Sequence, residues 1–168
     1  MSINSRFVPA CLGEPDGAER RSLQLLIVDD DPVQRALISS AAKQAGHSVT
    51  LAQSCSEAIN QIRIAQFDCV TLDLMLEDGD GVDVLKAMAE AKFGGSVIII
   101  SGMEAPLRIA ARAHAGSLGM ELQSLPKPAD LGALRVCLAN LRKTAMGLPV
   151  MHTWGGVAVD HVTEEYRS

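Results

Sequence analysis

The residues best suited to chemistry stand at the ends of short apolar runs. Leu23 to Asp31 reads LQLLIVDDD, an aliphatic stretch that delivers three consecutive carboxylates to one point. Such a run predicts a buried strand, and the C-terminal ends of strands are where open parallel α/β sheets bind ligands. Adjacent carboxylates at the mouth of a dry sheet repel one another and resist desolvation, so they persist when protonated, paired with a base or holding a cation. We read the stretch as a cation site; taken alone it also allows Asp31 to cap the next helix with Asp29 and Asp30 solvated. The theme recurs. Asp73 follows FDCVTL, Ser101 closes SVIIIS, and Lys127 stands in Pro126-Lys127-Pro128 after a fifth run. Asp29, Asp30 and Asp73 with a hydroxyl and an ammonium on one rim suit Mg²⁺, which takes one or two carboxylates and leaves positions for water and phosphate oxygens. A cation there offsets the repulsion between a carboxylate and a phosphoryl group, which makes an aspartyl phosphate accessible.

The elements that must position these residues follow from period and punctuation. After a strand at 23–28, Asp31-Pro32 reads as an N-cap with Pro at the first helical position. Val33, Leu37, Ala41 and Ala45, with Ile38 beside them, predict the apolar side of a helix that stops at Gly46. A short strand covers 47–52. Ser54 and Glu57 have capping-box spacing, and Ala58, Ile59, Ile62 and Ala65 continue at helical period. Phe67 to Leu72 is the third strand, and Leu74 to Gly81 (LMLEDGDG) reads as a loop before a helix bearing Val82, Leu85, Met88 and Ala89. Ser96 to Ile100 is the fourth strand, followed by a helix over 105–118 that Gly119 ends. A fifth strand, 120–125, leads to a last helix over 130–143 with Leu131, Leu134, Leu138 and Leu141 on one stripe. Five strands alternating with five helices predict a doubly wound five-stranded parallel sheet, with the strands richest in uninterrupted aliphatics, the first and fourth together with much of the third, central. The second and fifth are edges, which Pro126 supports, and the flavodoxin-like order is 2-1-3-4-5. Asp29, Asp30 and Asp73 then meet at the switch point between strands one and three.

Composition bounds the function classes. The chain has 168 residues, 48% of them apolar, which suits one globular domain of 23–143 between a leader over 1–22 and a tail over 144–168 that holds no recognisable effector domain. Only 3% aromatic residues and a net charge of −5 argue against base-stacking or basic nucleic-acid surfaces, so no nucleic-acid partner is expected. No stretch has the length and apolarity to span a bilayer, and no hydrophobic run reads as a secretory signal. Cys11, Cys55, Cys69 and Cys137 are scattered without a CxxC, and His47, His114, His152 and His161 show no ligand spacing, so buried thiols in a cytoplasmic setting and no zinc site are expected.

The run VDDDP, Asp73 after FDCVTL, Ser101 after SVIII and the PKP at the end of the fifth strand resemble, in order, the receiver domain of two-component response regulators, over about Leu23 to Lys143. The resemblance implies that Asp73 is the phosphoacceptor, fed by a histidine kinase or a histidine phosphotransfer protein. It implies that Asp30 and Asp73 ligate Mg²⁺ directly, Asp29 mainly through water, and Met75 through its backbone carbonyl. Lys127 would pair with Asp73 at rest and with the phosphoryl group afterwards, with a cis bond to Pro128, and Ser101 would turn inward to the phosphoryl group. Such a domain is a signalling unit rather than an enzyme with an external substrate. Its output is a population shift read by a partner protein.

Some positions depart from that pattern. Glu77 stands four residues after Asp73, where receivers often carry Pro, and Ser124 stands three before Lys127, where Tyr or Phe is common. Met75 and Met103 occupy positions that tune water access and suggest slow self-dephosphorylation. The segment from the fourth helix through PKP is also similar to receivers found ahead of cyclic-di-GMP phosphodiesterase domains. Two other readings remain open at this point. One is a Mg²⁺-dependent phosphohydrolase of the haloacid-dehalogenase kind, which uses a DxD nucleophile after its first strand; Asp29-Asp30-Asp31 formally contains it, though the chain shows no room for a cap. The other is a receiver-like interaction module that works without phosphorylation.

Overall fold

The computed structural model describes residues 21–102 and 105–147. Strand β1 (Gln24–Val28) is followed by α1 (Pro32–Gln44), β2 (Ser48–Ala52), α2 (Cys55–Ile64) and β3 (Cys69–Leu72). Two short strands, β4 (Met75–Leu76) and β5 (Gly79–Asp80), precede α3 (Gly81–Glu90), β6 (Ser96–Ser101), α4 (Ala105–Ser117), β7 (Leu122–Pro126) and α5 (Leu131–Ala145). The main sheet has the order β2-β1-β3-β6-β7 with every pairing parallel, which is the expected 2-1-3-4-5 arrangement. Pro126 closes the edge strand β7 opposite Ser101, where a missing amide is tolerated.

The sheet divides the interior into two layers because alternate side chains of each strand point to opposite faces. Leu26, Val28, Val70, Leu72, Val97 and Ile99 pack with α2, α3 and α4 on one side. Leu25, Ile27, Cys69, Ile98 and Ile100 pack with α1 and α5 on the other. Both faces of the central strands are dry, hence the aliphatic runs at 25–28 and 97–100, with buried Cys69 and Thr71 in β3. Each fully buried Leu or Ile contributes about 1.5–3 kcal/mol against exposure.

Local signals mostly act as the sequence predicts. Asp31 accepts hydrogen bonds from the amides of Val33 and Gln34 with Pro32 at the first helical position, and Gly46 ends the helix region at φ +83. Ser54 caps α2 by accepting from Glu57 N at 3.1 Å. The Glu57 carboxylate reaches back one residue beyond the cap, to Gln53 N at 2.9 Å.

Several expectations need correction, among them the starts of the third and fifth strands, which lie two residues later than expected, at Cys69 and Leu122. Val33 and Leu37 are exposed, at 63% and 45%; α1 instead buries Ile38, Ser39, Ala41 and Ala42. Ala65 is extended and exposed, ending α2 rather than continuing it. Residues 74–81 are not merely a loop, since Met75 and Leu76 pair antiparallel with Asp80 and Gly79 in a small hairpin. α5 runs to Ala145, two residues past the expected boundary. Cys55, Cys69 and Cys137 are buried and free, as expected. Cys11, His152, His161, Met103, nearly all of the leader and most of the tail lie outside the described residues. Among the described residues no helix is long and apolar enough to cross a membrane.

Candidate functional site

Strand register assembles the site. Val28 pairs with both Ala52 and Leu72, and the next amides continue the ladder: Asp29 N donates to Ala52 O at 3.2 Å and Asp73 N to Val28 O at 2.9 Å. Asp29 and Asp73 are therefore neighbours at the carboxyl end of the sheet. On the far side Lys127 N donates to Ser101 O at 3.2 Å, which extends the β6–β7 ladder by one residue and sets the lysine beside the end of β6. The Lys127–Pro128 peptide bond is cis, as the resemblance implies.

Oxygens of Asp29, Asp30 and Asp73 all lie within 4.8 Å of one another. Asp73 is buried; its Oδ1 accepts from Met75 N at 3.0 Å and its Oδ2 from Lys127 Nζ at 2.6 Å. Asp29 is 1% exposed, with Oδ1 accepting from Asp31 N at 2.9 Å and Oδ2 standing 3.0 Å from Lys127 Nζ. Asp30 is half-buried and accepts from Glu77 N at 3.2 Å through Oδ2. Ser101 is fully buried at the end of β6. All the site residues expected from sequence thus stand on neighbouring strand ends or, for Met75, on the turn leaving one.

The electrostatics follow from burial. Desolvation pushes the Asp29 carboxyl above its usual range even though Lys127 and the Asp31 amide favour its charge. Burial pulls Lys127 downward, but hydrogen bonds to Asp73 and Asp29 outweigh it and hold the ammonium above its ordinary value. Lys127 thus serves as the counter-cation for two carboxylates. The three carboxylates form a hard oxygen donor set of the kind that Mg²⁺, Ca²⁺ or Mn²⁺ take, so the residues present fit such an ion.

Sequence reasoning missed three supports. Arg35, one helical turn into α1, donates from Nη1 to the carbonyls of Asp29 and Asp30 at 2.6 and 3.3 Å and fixes the turn that carries them. Gly81 presses on the backbone behind the site: a Cβ there would meet Leu74 Cα at 2.6 Å and Asp73 O at 2.8 Å. The DGDG run was the available signal for it. Glu77 contributes its amide to Asp30, a bond that a Pro at this position has no N–H to make.

Comparison with known proteins gives a consistent result. Residues 25–139 match the family model described as "Response regulator receiver domain". The acid tolerance regulatory protein ActR of Rhizobium meliloti is 34% identical over 106 residues, covering 63% of this chain and 53% of that one. The probable transcriptional regulatory protein TcrX of Mycobacterium tuberculosis is 34% identical over 88 residues, covering 52% and 38%. The chain thus spans about half or less of the length of these relatives. Among solved structures, a response regulator from Colwellia psychrerythraea matches with TM-score 0.63 and 26% identity, covering 74% of this chain and 99% of that one. A CheY-like receiver domain protein from Methanospirillum hungatei matches with TM-score 0.66 at 20% identity, covering 76% and 98%, and shows likeness of fold.

Proposed function

The chain belongs to the response regulator receiver family, and from that premise we propose that Asp73 is its phosphoacceptor in a Mg²⁺-dependent reaction. The observation that carries this reading is the convergence of Asp29, Asp30 and Asp73 within 4.8 Å, with Lys127 Nζ 2.6 Å from Asp73 and 3.0 Å from Asp29. Receiver domains of this family pair with histidine kinases, so the donor is a phosphohistidine of a kinase or phosphotransfer protein. An Asp73 carboxylate oxygen forms a bond to phosphorus as the P–N bond of the phosphohistidine breaks, and the imidazole leaves with the bonding electron pair.

Bound Mg²⁺ would neutralise charge on the phosphoryl oxygens during transfer. Asp29, Asp30 and Asp73 would hold it with the Met75 carbonyl. Lys127 neutralises Asp73 at rest and moves its donors to the phosphoryl oxygens once the new bond forms. Ser101, at the end of the neighbouring strand, donates its hydroxyl to the same group. The gain of these contacts in one conformation over another supplies the population shift; about 2–5 kcal/mol of differential contact is enough to move such an equilibrium substantially.

We take residues 23–143 as the signalling unit. TcrX carries transcriptional regulation in its name, so an output that ends on DNA through further parts of a longer protein is a reading to test beside a partner-binding receiver. With the family in hand, no observation favours the phosphohydrolase alternative.

Acetyl phosphate with Mg²⁺, followed by intact mass of the native protein and of Asp73→Ala, tests the reading. A single Mg²⁺-dependent phosphoryl adduct that disappears in the variant is expected. An adduct that survives Asp73→Ala overturns the assignment.

A further inference from the structure

The turn that follows Asp73 is anchored to a helix that supplies none of the site residues. Asp78, at the tip of the β4–β5 hairpin, accepts three hydrogen bonds at the start of α2: from Cys55 N at 2.7 Å, Ser56 N at 3.2 Å and Ser56 Oγ at 3.1 Å. The first turn of a helix has free amides and the positive end of its dipole, so a carboxylate is favoured there. Bonds from the Cys55 and Ser56 amides hold the Asp78 carboxyl below its usual range. Helix α2 already has a local cap in Ser54, whose hydroxyl takes the Glu57 amide. Asp78 therefore joins two elements in addition to finishing one.

A second contact reinforces the first. A Cβ at Gly79 would meet Cys55 Cβ at 3.3 Å and Sγ at 3.4 Å, so the hairpin lies flat on the first residue of α2. The other side of the same turn faces the site. Glu77 N donates to Asp30 Oδ2 at 3.2 Å, and Met75 N to Asp73 Oδ1 at 3.0 Å. Between Asp73 and Gly81 the chain is thus held at both ends of a short lever, one on the carboxylates and one on α2.

We propose that Asp78 is a positioning residue: by latching the hairpin to the first turn of α2 it fixes the Met75 carbonyl and the Asp30 carboxylate, and so sets the affinity for Mg²⁺. The inference rests on reading Asp29, Asp30 and Asp73 as the metal site. Linkage makes it reciprocal, because whatever the latch adds to Mg²⁺ affinity, bound Mg²⁺ adds to the latch.

The test is a Mg²⁺ titration of the full chain followed by amide NMR shifts, for the native protein, Asp78→Ala and Asp78→Asn. Both variants lose the negative charge, but Asn keeps a carbonyl oxygen able to accept the Cys55 amide. The latch predicts about tenfold weaker Mg²⁺ binding in Asp78→Ala and a clearly smaller loss in Asp78→Asn, which keeps an acceptor for the Cys55 amide but sets an amide nitrogen against Ser56 N. Equal weakening in the two variants means charge alone acts and overturns the proposal, as does native affinity in Asp78→Ala. If Asp78→Ala does not fold, Gly79→Val lifts the hairpin from Cys55 with Asp78 kept; weakened binding is expected, and unchanged binding overturns the latch. Native protein that binds no Mg²⁺, or binding unaffected by Asp30→Asn, refutes the metal-site reading and the latch with it; loss confined to the Asp30 variant refutes the latch alone.

Discussion

Asp29 is held at the site at a cost to the fold. Its carboxyl is almost fully buried and its pKa lies above the unfolded value of 3.8, chiefly through desolvation. A raised carboxyl pKa means the folded chain holds this proton more tightly than the unfolded chain. The favourable contribution is complete below the unfolded value and is lost as pH rises through the folded one. At neutral pH, ionised Asp29 is therefore a cost to the fold. We expect Asp29→Asn to raise the unfolding midpoint in Mg²⁺-free buffer, by about 1 kcal/mol or a few degrees, while weakening Mg²⁺ binding. A lowered midpoint contradicts this. Lys127→Met acts in the opposite sense, since it strands two buried carboxylates at a cost of about 3–5 kcal/mol, part of which added Mg²⁺ restores. Residue identities at the site were legible because strands deliver their last side chains to one rim; which oxygen faces which donor was not. Glu77 is the plainest case. Its side chain read as a departure in an acidic loop, whereas its amide is what touches Asp30.

Elements were legible where a cap or a period stood alone and were misread where two signals competed. Asp31-Pro32, Ser54 and Gly46 each act as written because a cap is a local hydrogen bond. The stripe on α1 failed because Val33 and Leu37 fit the helical period, while the helix rotates to set small Ala41 and Ala42 against the sheet. The β4–β5 hairpin was invisible because two-residue strands carry no period. Contacts between elements distant in sequence were also hidden, and one has a pH signature. His47, just before β2, accepts at Nδ1 from Leu23 N at 3.2 Å, and Arg142 of α5 stands 3.4 Å from the same nitrogen while donating to Ala45 O at 2.6 Å. Burial, then the Arg142 charge, lowers the His47 pKa below 6.5. The folded state thus disfavours the proton that the unfolded chain accepts, so the stability His47 contributes is present above pH 6.5 and is lost as pH falls through the lowered folded value. Urea unfolding at a series of pH values should show the native midpoint falling below that point and a shallower fall in His47→Gln. Parallel curves for the two proteins would rule the histidine out as the source.

The molecule as a whole is organised by one sheet shared between two apolar layers. That sharing was legible, because strands dry on both faces carry apolar residues at successive positions, as in residues 25–28 of β1 and 97–100 of β6, with only Thr71 interrupting the apolar run of β3. It also couples the site to the rest of the fold. Asp29 and Asp73 extend β1 and β3, whose side chains belong alternately to both layers, so neither layer comes apart without breaking the strands that carry the carboxylates. A ligand that binds only the assembled site then stabilises every part of the domain equally, by about 2.7 kcal/mol at a hundred times its dissociation constant. Hydrogen exchange with and without saturating Mg²⁺ reads this directly. The slowest amides of β1, β3 and β6 and those of α5, which supplies none of the proposed ligands, should gain the same protection factor, and Asp30→Asn should gain none of it. Protection confined to the turns after β1 and β3 would mean that the carboxyl end of the sheet opens by itself, and that the phosphorylation proposed at Asp73 would act locally instead of shifting the whole domain.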